Sequence, residues 1–365
     1  MRLEGARDGD VIRVGGDARQ RFHDTRGYGY PLEGNDIALA PEEAAHLLYT
    51  GHLEAVVDGD DRLDFREFVA REPGVDFGVR YLVYADLRSR GLYLSPAREP
   101  WVSVDRHPEL APADFAVFPR GKGPGDDEVE YAVDVRGERA DLPANELEPG
   151  VLAVVDEESE ITYFAVGRPD VSGTSATIDE DCLGADADLL TDRVVVWEPP
   201  TSLYHRTFYG QPLAGRNHED ESATLQCSLV EAAYLADRDV LTLEADRVRE
   251  RGRAVEGERF DRRLAVYTHL RERGVVPKTG YKFGADFRTY ADVESVDELG
   301  HSELLVRVLP ADHVFEPRDL ALDVRLAHGV RKAMAFALIE DVGGARVDGN
   351  EPDAIEWWSI ERLTP

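Results

Sequence analysis

The chain has 365 residues, 42% of them hydrophobic, enough to bury more than one core, and no apolar run approaches the ~18 residues a bilayer span requires. It carries 73 acidic against 42 basic residues, a net charge of −31, which argues against a broadly basic surface that would hold nucleic acid non-specifically. Cys182 and Cys227 form neither a metal-ligand spacing nor a disulfide framework, and MRLEGARDGDVIRV has no apolar leader, so the expectation is a reduced, cytosolic protein with no membrane partner.

The acidic charge is spread along the whole chain and lysine is almost absent. That pattern suits a protein dissolved in very concentrated salt, where the screening length falls to about 3 Å at 1 M. The global charge therefore reports the solvent, and any RNA site must be a local cationic patch. The only lysines are Lys122, Lys278, Lys282 and Lys332, three of them in one late stretch.

In chain order, the sequence reads as two copies of one plan. A β-branched run near Val11 is followed by YGYPLEGN at Tyr28, then by a helix opening at Pro41-Glu42-Glu43 and carrying EAAHL. A helix through VYADLRSRG follows and is closed by Gly91. Each feature returns about 180 residues later: VVVW near Val194, YGQPLAGR at Tyr209, EAAYL at Glu231 and VYTHLRERG closed by Gly274. The second copy continues with strands in FRTYADVE and ELLVRVLP, a helix from about Pro317 to Leu326, and strands in MAFALIED and IEWWSIERL.

The predicted fold class is α/β (α+β), a tandem duplicated repeat. Each copy has a small α/β N-terminal subdomain and a nuclease-like, mixed-sheet C-terminal subdomain. The expected boundaries are 1–75 and 76–167 for the first copy, an acidic linker at 168–188, then 189–258 and 259–365 for the second. The linker reading competes with a surface loop inside one large domain.

The copies are unequal. Offsets of the later strands set Pro112 opposite His301, Val104 opposite Tyr290 and Glu148 opposite Lys332. The first copy thus lacks the Tyr, His and Lys of the second and is read as a scaffold. Those three residue types can supply a base, an acid and an electrostatic stabiliser without a metal. Taken singly, each has an ordinary role: a packing tyrosine, a surface histidine, a helix-end cation.

KTGYKFGADFRTY, HSE and VRLAHGVRK, between Lys278 and Lys332, resemble the archaeal tRNA-splicing endonucleases, in the class where one polypeptide carries an inactive and an active copy and two chains form a homodimer. The resemblance implies a nuclease acting on precursor tRNA at bulge–helix–bulge sites, leaving 2′,3′-cyclic phosphate and 5′-hydroxyl ends, with no cofactor. It makes Tyr290 the general base, His301 the general acid and Lys332 the transition-state stabiliser, and Arg325 and Arg362 the pair that sandwiches a flipped-out base. Lys278 and Lys282 either touch the RNA backbone or are solvated loop charges. The turn Asp156, Glu157, Glu158 and Glu160 either docks into a partner's basic cleft or is a solvated turn. Trp357 and Trp358 either pair with a partner chain or belong to a core strand. Two other function classes stay open: a metal-dependent nuclease using Asp286 and Glu303, and a non-catalytic RNA-binding subunit.

Overall fold

The computed structural model describes residues 3–74, 76–213, 224–340 and 355–365; the end of the second YGxPL repeat, 214–216, lies outside them. Its centre is a ten-stranded sheet. The first copy contributes β1 (Leu94–Pro96), β2 (Phe115–Val117), β3 (Tyr131–Gly137), β4 (Gly150–Val155) and β5 (Ile161–Gly167). The second contributes β6 (Val276–Thr279), β7 (Phe287–Tyr290), β8 (Leu304–Pro310), β9 (Ala333–Ile339) and β10 (Ile355–Leu363). The spatial order is β6-β7-β8-β9-β10-β5-β4-β3-β2-β1, so the two halves mirror each other about the β10–β5 seam.

The seam is antiparallel, and its registers identify a pseudo-two-fold axis. Ladder partners propagate one equivalence strand by strand: Pro96 with Thr279, Phe115 with Phe287, Val133 with Val306, Val151 with Ala335, Ala165 with Ser359. On that scale Val166 and Ile360 are equivalent, and they pair with each other across the seam. Leu152, Phe164, Phe336, Trp358 and Ile360 share one buried cluster drawn from both copies. Two further clusters fill the first and second copies separately.

Each copy also has its own smaller N-terminal sheet, with six strands in the first and four in the second. On these lie α1 (Pro41–Tyr49) and α2 (Leu229–Ala236). As predicted, α1 starts at Pro41, with Glu42 and Glu43 in its first turn. The following helices end before Gly91 (φ +82°) and Gly274 (φ +75°), left-handed positions where a side chain would be strained. The later helix, α3 (Pro317–Gly329), runs three residues beyond the expected Leu326. In the first copy its place in the order holds only the short 3₁₀ turn Ala144–Glu146.

Two expectations are corrected by the registers. Tyr290 stands opposite Phe118, not Val104, and counting back from Val133 and Val306 sets His301 opposite Glu128, not Pro112. The displacement arises because the segment from β1 to β2 is longer than that from β6 to β7, which a constant offset ignores. Glu148 opposite Lys332 stands unchanged, as does the inequality of the copies.

The acidic segment between the copies docks on the second one. The amides of Gly173 and Thr174 donate to the carbonyls of Arg273 and Ala291 at 2.9 and 2.7 Å, and Val171 and Cys182 are buried. A Cβ at Gly173 would stand 2.5 Å from the Gly274 oxygen and 2.6 Å from that of Ala291, so only glycine fits there.

Candidate active site

Strand pairing brings the three candidate residues to one end of the sheet. β7 runs antiparallel to β8 and ends at Tyr290, where β8 is about to begin. β9 runs parallel to β8, with Ala333 opposite Leu304. Glu303, just ahead of β8, donates its amide to the Thr289 carbonyl at 3.0 Å and accepts from the Ala333 amide at 3.3 Å. Tyr290, His301 and Lys332 therefore occupy the last position of β7, the approach to β8 and the approach to β9, on neighbouring strands about 5 Å apart. The Lys332 ammonium donates to the carbonyl of Ser302, the residue after His301.

Their surroundings differ. His301 is exposed and Lys332 half-buried. Desolvation lowers the Lys332 pKa, the Arg288 guanidinium lowers it further, and Glu303 opposes both. Tyr290 is 8% exposed, its ring against the Phe208 ring at 5.8 Å, with Arg288 5.9 Å from its centroid.

Arg325 is exposed on α3, whose C-terminal end leads directly into Lys332; the Lys332 amide donates to the Ala327 carbonyl at 3.0 Å. Arg362 is exposed on β10. Met334 pairs with Ile360, so continuing that register sets Arg362 across from Lys332. Lys282 is exposed in the turn Tyr281–Phe283.

Two assignments fail. Lys278 does not face RNA: its side chain is 11% exposed, its ammonium donating to the Phe208 and Gly210 carbonyls at 3.1 and 3.0 Å and to Glu231 Oε1 at 3.1 Å. All three of its donors are spent inside the protein. Trp357 and Trp358 do not pair with a partner chain. Both edges of β10 are taken, by β9 and β5. Trp357 stacks on His269 and Trp358, 1% exposed, lies under the Arg168 guanidinium at 3.5 Å, so the core-strand alternative holds. The acidic turn does join two strands, β4 and β5, with Asp156 Oδ1 accepting the Glu158 and Glu160 amides at 2.9 and 2.8 Å and Glu157 paired with Arg139.

Sequence reasoning missed the buried carboxylates. Glu231 accepts from the Gly210 amide at 3.0 Å, and its counterpart Glu43 accepts from the Gly29 amide at 2.7 Å. An acid repeated at the head of two apolar helices, EAAHL and EAAYL, was the available signal. Asp286 is likewise committed. It accepts the Val308 amide at 2.9 Å and pairs with Arg259 at 2.5 Å and Arg263 at 3.0 Å, as Asp114 accepts the Val135 amide in the first copy.

A duplicated α/β chain with one copy furnished at the sheet's end and the other bare is thus the class the geometry defines. Residues 260–346 match the tRNA intron endonuclease catalytic C-terminal domain, and the N-terminal domain of that family matches twice, at 3–69 and 185–252. The chain is 58% identical to a tRNA-splicing endonuclease of Haloarcula marismortui over 98% of both chains. It is 52% identical to that of Haloferax volcanii over the full length of both, and 36% identical to that of Methanococcoides burtonii over 93% and 96%. The chain belongs to the tRNA-splicing endonuclease family. Among the described residues no helix is long and apolar enough to cross a membrane.

Proposed function

We propose that the protein cleaves precursor tRNA at bulge–helix–bulge splice sites by metal-independent transesterification. The nucleophile is the substrate's own 2′-hydroxyl. It attacks the adjacent phosphorus as Tyr290 takes its proton, His301 delivers a proton to the departing 5′ oxygen, and Lys332 neutralises charge on the phosphorane. The products are a 2′,3′-cyclic phosphate and a 5′-hydroxyl. A phenolate forming on Tyr290 would be stabilised by a nearby cation, and Arg288, 5.9 Å from its ring centroid, and Lys332 are the candidates on this end of the sheet.

The observation that carries this reading is the placement of three residues, spread over 42 positions of the chain, at one end of three adjacent strands, with Lys332 bonded to the backbone beside His301. Arg325 and Arg362, flanking Lys332 from α3 and β10, would grip an unpaired base by stacking, an attraction that salt screens less than a phosphate contact. Each chain has one furnished copy and a bulge–helix–bulge has two cuts, so we place the active form as a homodimer. The acidic turn at Asp156–Glu160 is the proposed contact with the partner.

Incubation with intron-bearing precursor tRNA in EDTA tests the reaction. Cuts with cyclic-phosphate ends are expected; cleavage only on adding a divalent cation would favour the Asp286–Glu303 alternative, which the pairing of Asp286 with two arginines disfavours. Binding without cleavage would leave the non-catalytic subunit.

A further inference from the structure

One buried node exists only in the furnished copy. Phe208, fully buried and held at φ +55°, has its ring in contact with two groups: the Lys278 ammonium 4.7 Å from its centroid and the Tyr290 ring at 5.8 Å, edge to face. Lys278 is fixed in turn by Glu231 and by the carbonyls of Phe208 and Gly210. It belongs to β6, whose Val276 pairs with Tyr290 and whose Lys278 pairs with Arg288. The Thr207 and Phe208 carbonyls also accept from the buried Arg271, at 2.9 and 3.3 Å. Tyr290 is thus bound by its own ladder on one side and by the YG turn of the N-terminal part on another.

The first copy keeps the frame and omits the node. Arg88 lies over Tyr28 at 3.8 Å as Arg271 lies over Tyr209 at 3.8 Å, and both turns send an amide to a buried glutamate. Yet the equivalent of Phe208 is Gly27, that of Lys278 is Ser95, and that of Tyr290 is Phe118. Glu43 receives the Trp101 indole N–H at 3.0 Å in place of a cation. Where there is no tyrosine to place, neither the phenylalanine nor the lysine is present.

We infer that Phe208 is a positioning residue for Tyr290, and that Lys278 with Glu231 holds Phe208 so that the N-terminal part of the second copy sets the phenol's place in the site. The inference rests on Tyr290 being the residue that handles the 2′-hydroxyl proton. Neither Phe208 nor Lys278 touches substrate in this scheme. An edge-to-face aromatic contact fixes ring orientation, and a small misplacement of a proton acceptor costs rate more than binding.

The test uses the full chain with 3-fluorotyrosine at position 290, read by fluorine NMR in the wild type, Phe208→Leu and the paired variant Lys278→Met/Glu231→Gln. The pair is chosen because Lys278→Met alone strands a buried carboxylate. The resonance is expected to shift or broaden in both variants while the circular dichroism holds. In saturating single-turnover cleavage, Phe208→Leu should slow the reaction about tenfold with RNA affinity unchanged, and should cost nothing further in a Tyr290→Phe background. An unmoved resonance in Phe208→Leu overturns the inference, as does an equal slowing in both backgrounds. If Tyr290→Phe itself cleaves at the wild-type rate, it is the role of Tyr290 that falls, and the resonance alone then decides whether Phe208 places the ring.

Discussion

The two copies bury the same carboxylate and neutralise it in different ways. Glu43 is surrounded by neutral donors, the Gly29 and Ala40 amides and the Trp101 indole, and burial pushes its carboxyl up to about 7. Glu231 instead meets the Lys278 ammonium at 3.1 Å, with the Tyr267 hydroxyl at 3.4 Å. The rest of the frame agrees residue for residue, from the Tyr–Arg stacks to the Asp114 and Asp286 carboxylates that cap the same backbone position. The copies differ most around one end of the half-sheet, where the second has Lys278, Lys332 and α3 and the first has Ser95, Glu148 and a 3₁₀ turn.

Lys332→Ala against Glu148→Ala should separate the two copies by the largest effect. Removing the proposed phosphorane stabiliser should lower single-turnover cleavage by about 10³-fold or more, with RNA affinity by filter binding largely kept. Glu148→Ala, at the equivalent place in the bare copy, should leave the rate within about twofold. Equal losses in both would mean the copies share the chemistry, and unfolding of the Lys332 variant would make it a structural residue.

Next in size is the seam. Trp358 fills the cluster common to both halves, so Trp358→Ala should lower unfolding stability by about 3–5 kcal/mol in guanidinium titrations. Because β10 joins β9 to β5, both halves should lose structure in one transition. Two separated transitions would show that the copies fold independently.

Much of this was legible because duplication writes itself twice. The YG turn, the EAA helix head and the Gly91 and Gly274 stops each had a partner to check against, and the helix starts carry proline and acids whose effect is local. Motifs named Tyr290, His301 and Lys332, but their shared place at one sheet end follows from an antiparallel then a parallel strand pairing, a long-range property that no local pattern encodes. The same limit explains the errors. Lys278 looks like a loop cation until the turn at Phe208–Gly210 folds over it. The apolar strand holding Trp357 and Trp358 looks like a free edge until β5 arrives from the other copy. Strand offsets slipped between β1 and β2 because loop lengths, unlike ladders, are not conserved by duplication.

The buried carboxylates give the third expectation, in the pH dependence of stability. Glu43 has a folded pKa of about 7 against an ordinary 4.5, so its contribution is fully present below pH 4.5 and is lost as pH rises through 7. His46 runs the other way. Burial, with the Arg88 and His52 charges, lowers it to about 4 from 6.5, so its contribution is present above pH 6.5 and is lost as pH falls towards 4. Between these limits the two slopes oppose, and the joint contribution of Glu43 and His46 should change little. Glu43→Gln removes one of them, so the variant's stability should climb from pH 4.5 to 6.5 by about 1–3 kcal/mol relative to the wild type. Parallel curves for the two proteins would show that the three donors already hold Glu43 ionised, and the contrast with Glu231 would lose its physical basis.

The smallest effect on the chain itself concerns the acidic turn of the first copy. Glu157, Glu158 and Glu160 are exposed, and the ion pair there, Arg139 with Glu157, is a surface one. Changing all three to glutamine should move the unfolding stability of a single chain by no more than about 1 kcal/mol. In the proposed homodimer the same change acts elsewhere, on the partner's furnished copy, and should raise the dimer dissociation constant measured by sedimentation in molar salt. Cleavage per dimer should then be intact at high protein concentration and fall on dilution. A dimer as tight as the wild type would assign the turn to solvent. A wild-type chain that sediments as a monomer while cutting both sites would remove the partner from the scheme and leave the first copy's value wholly in the seam.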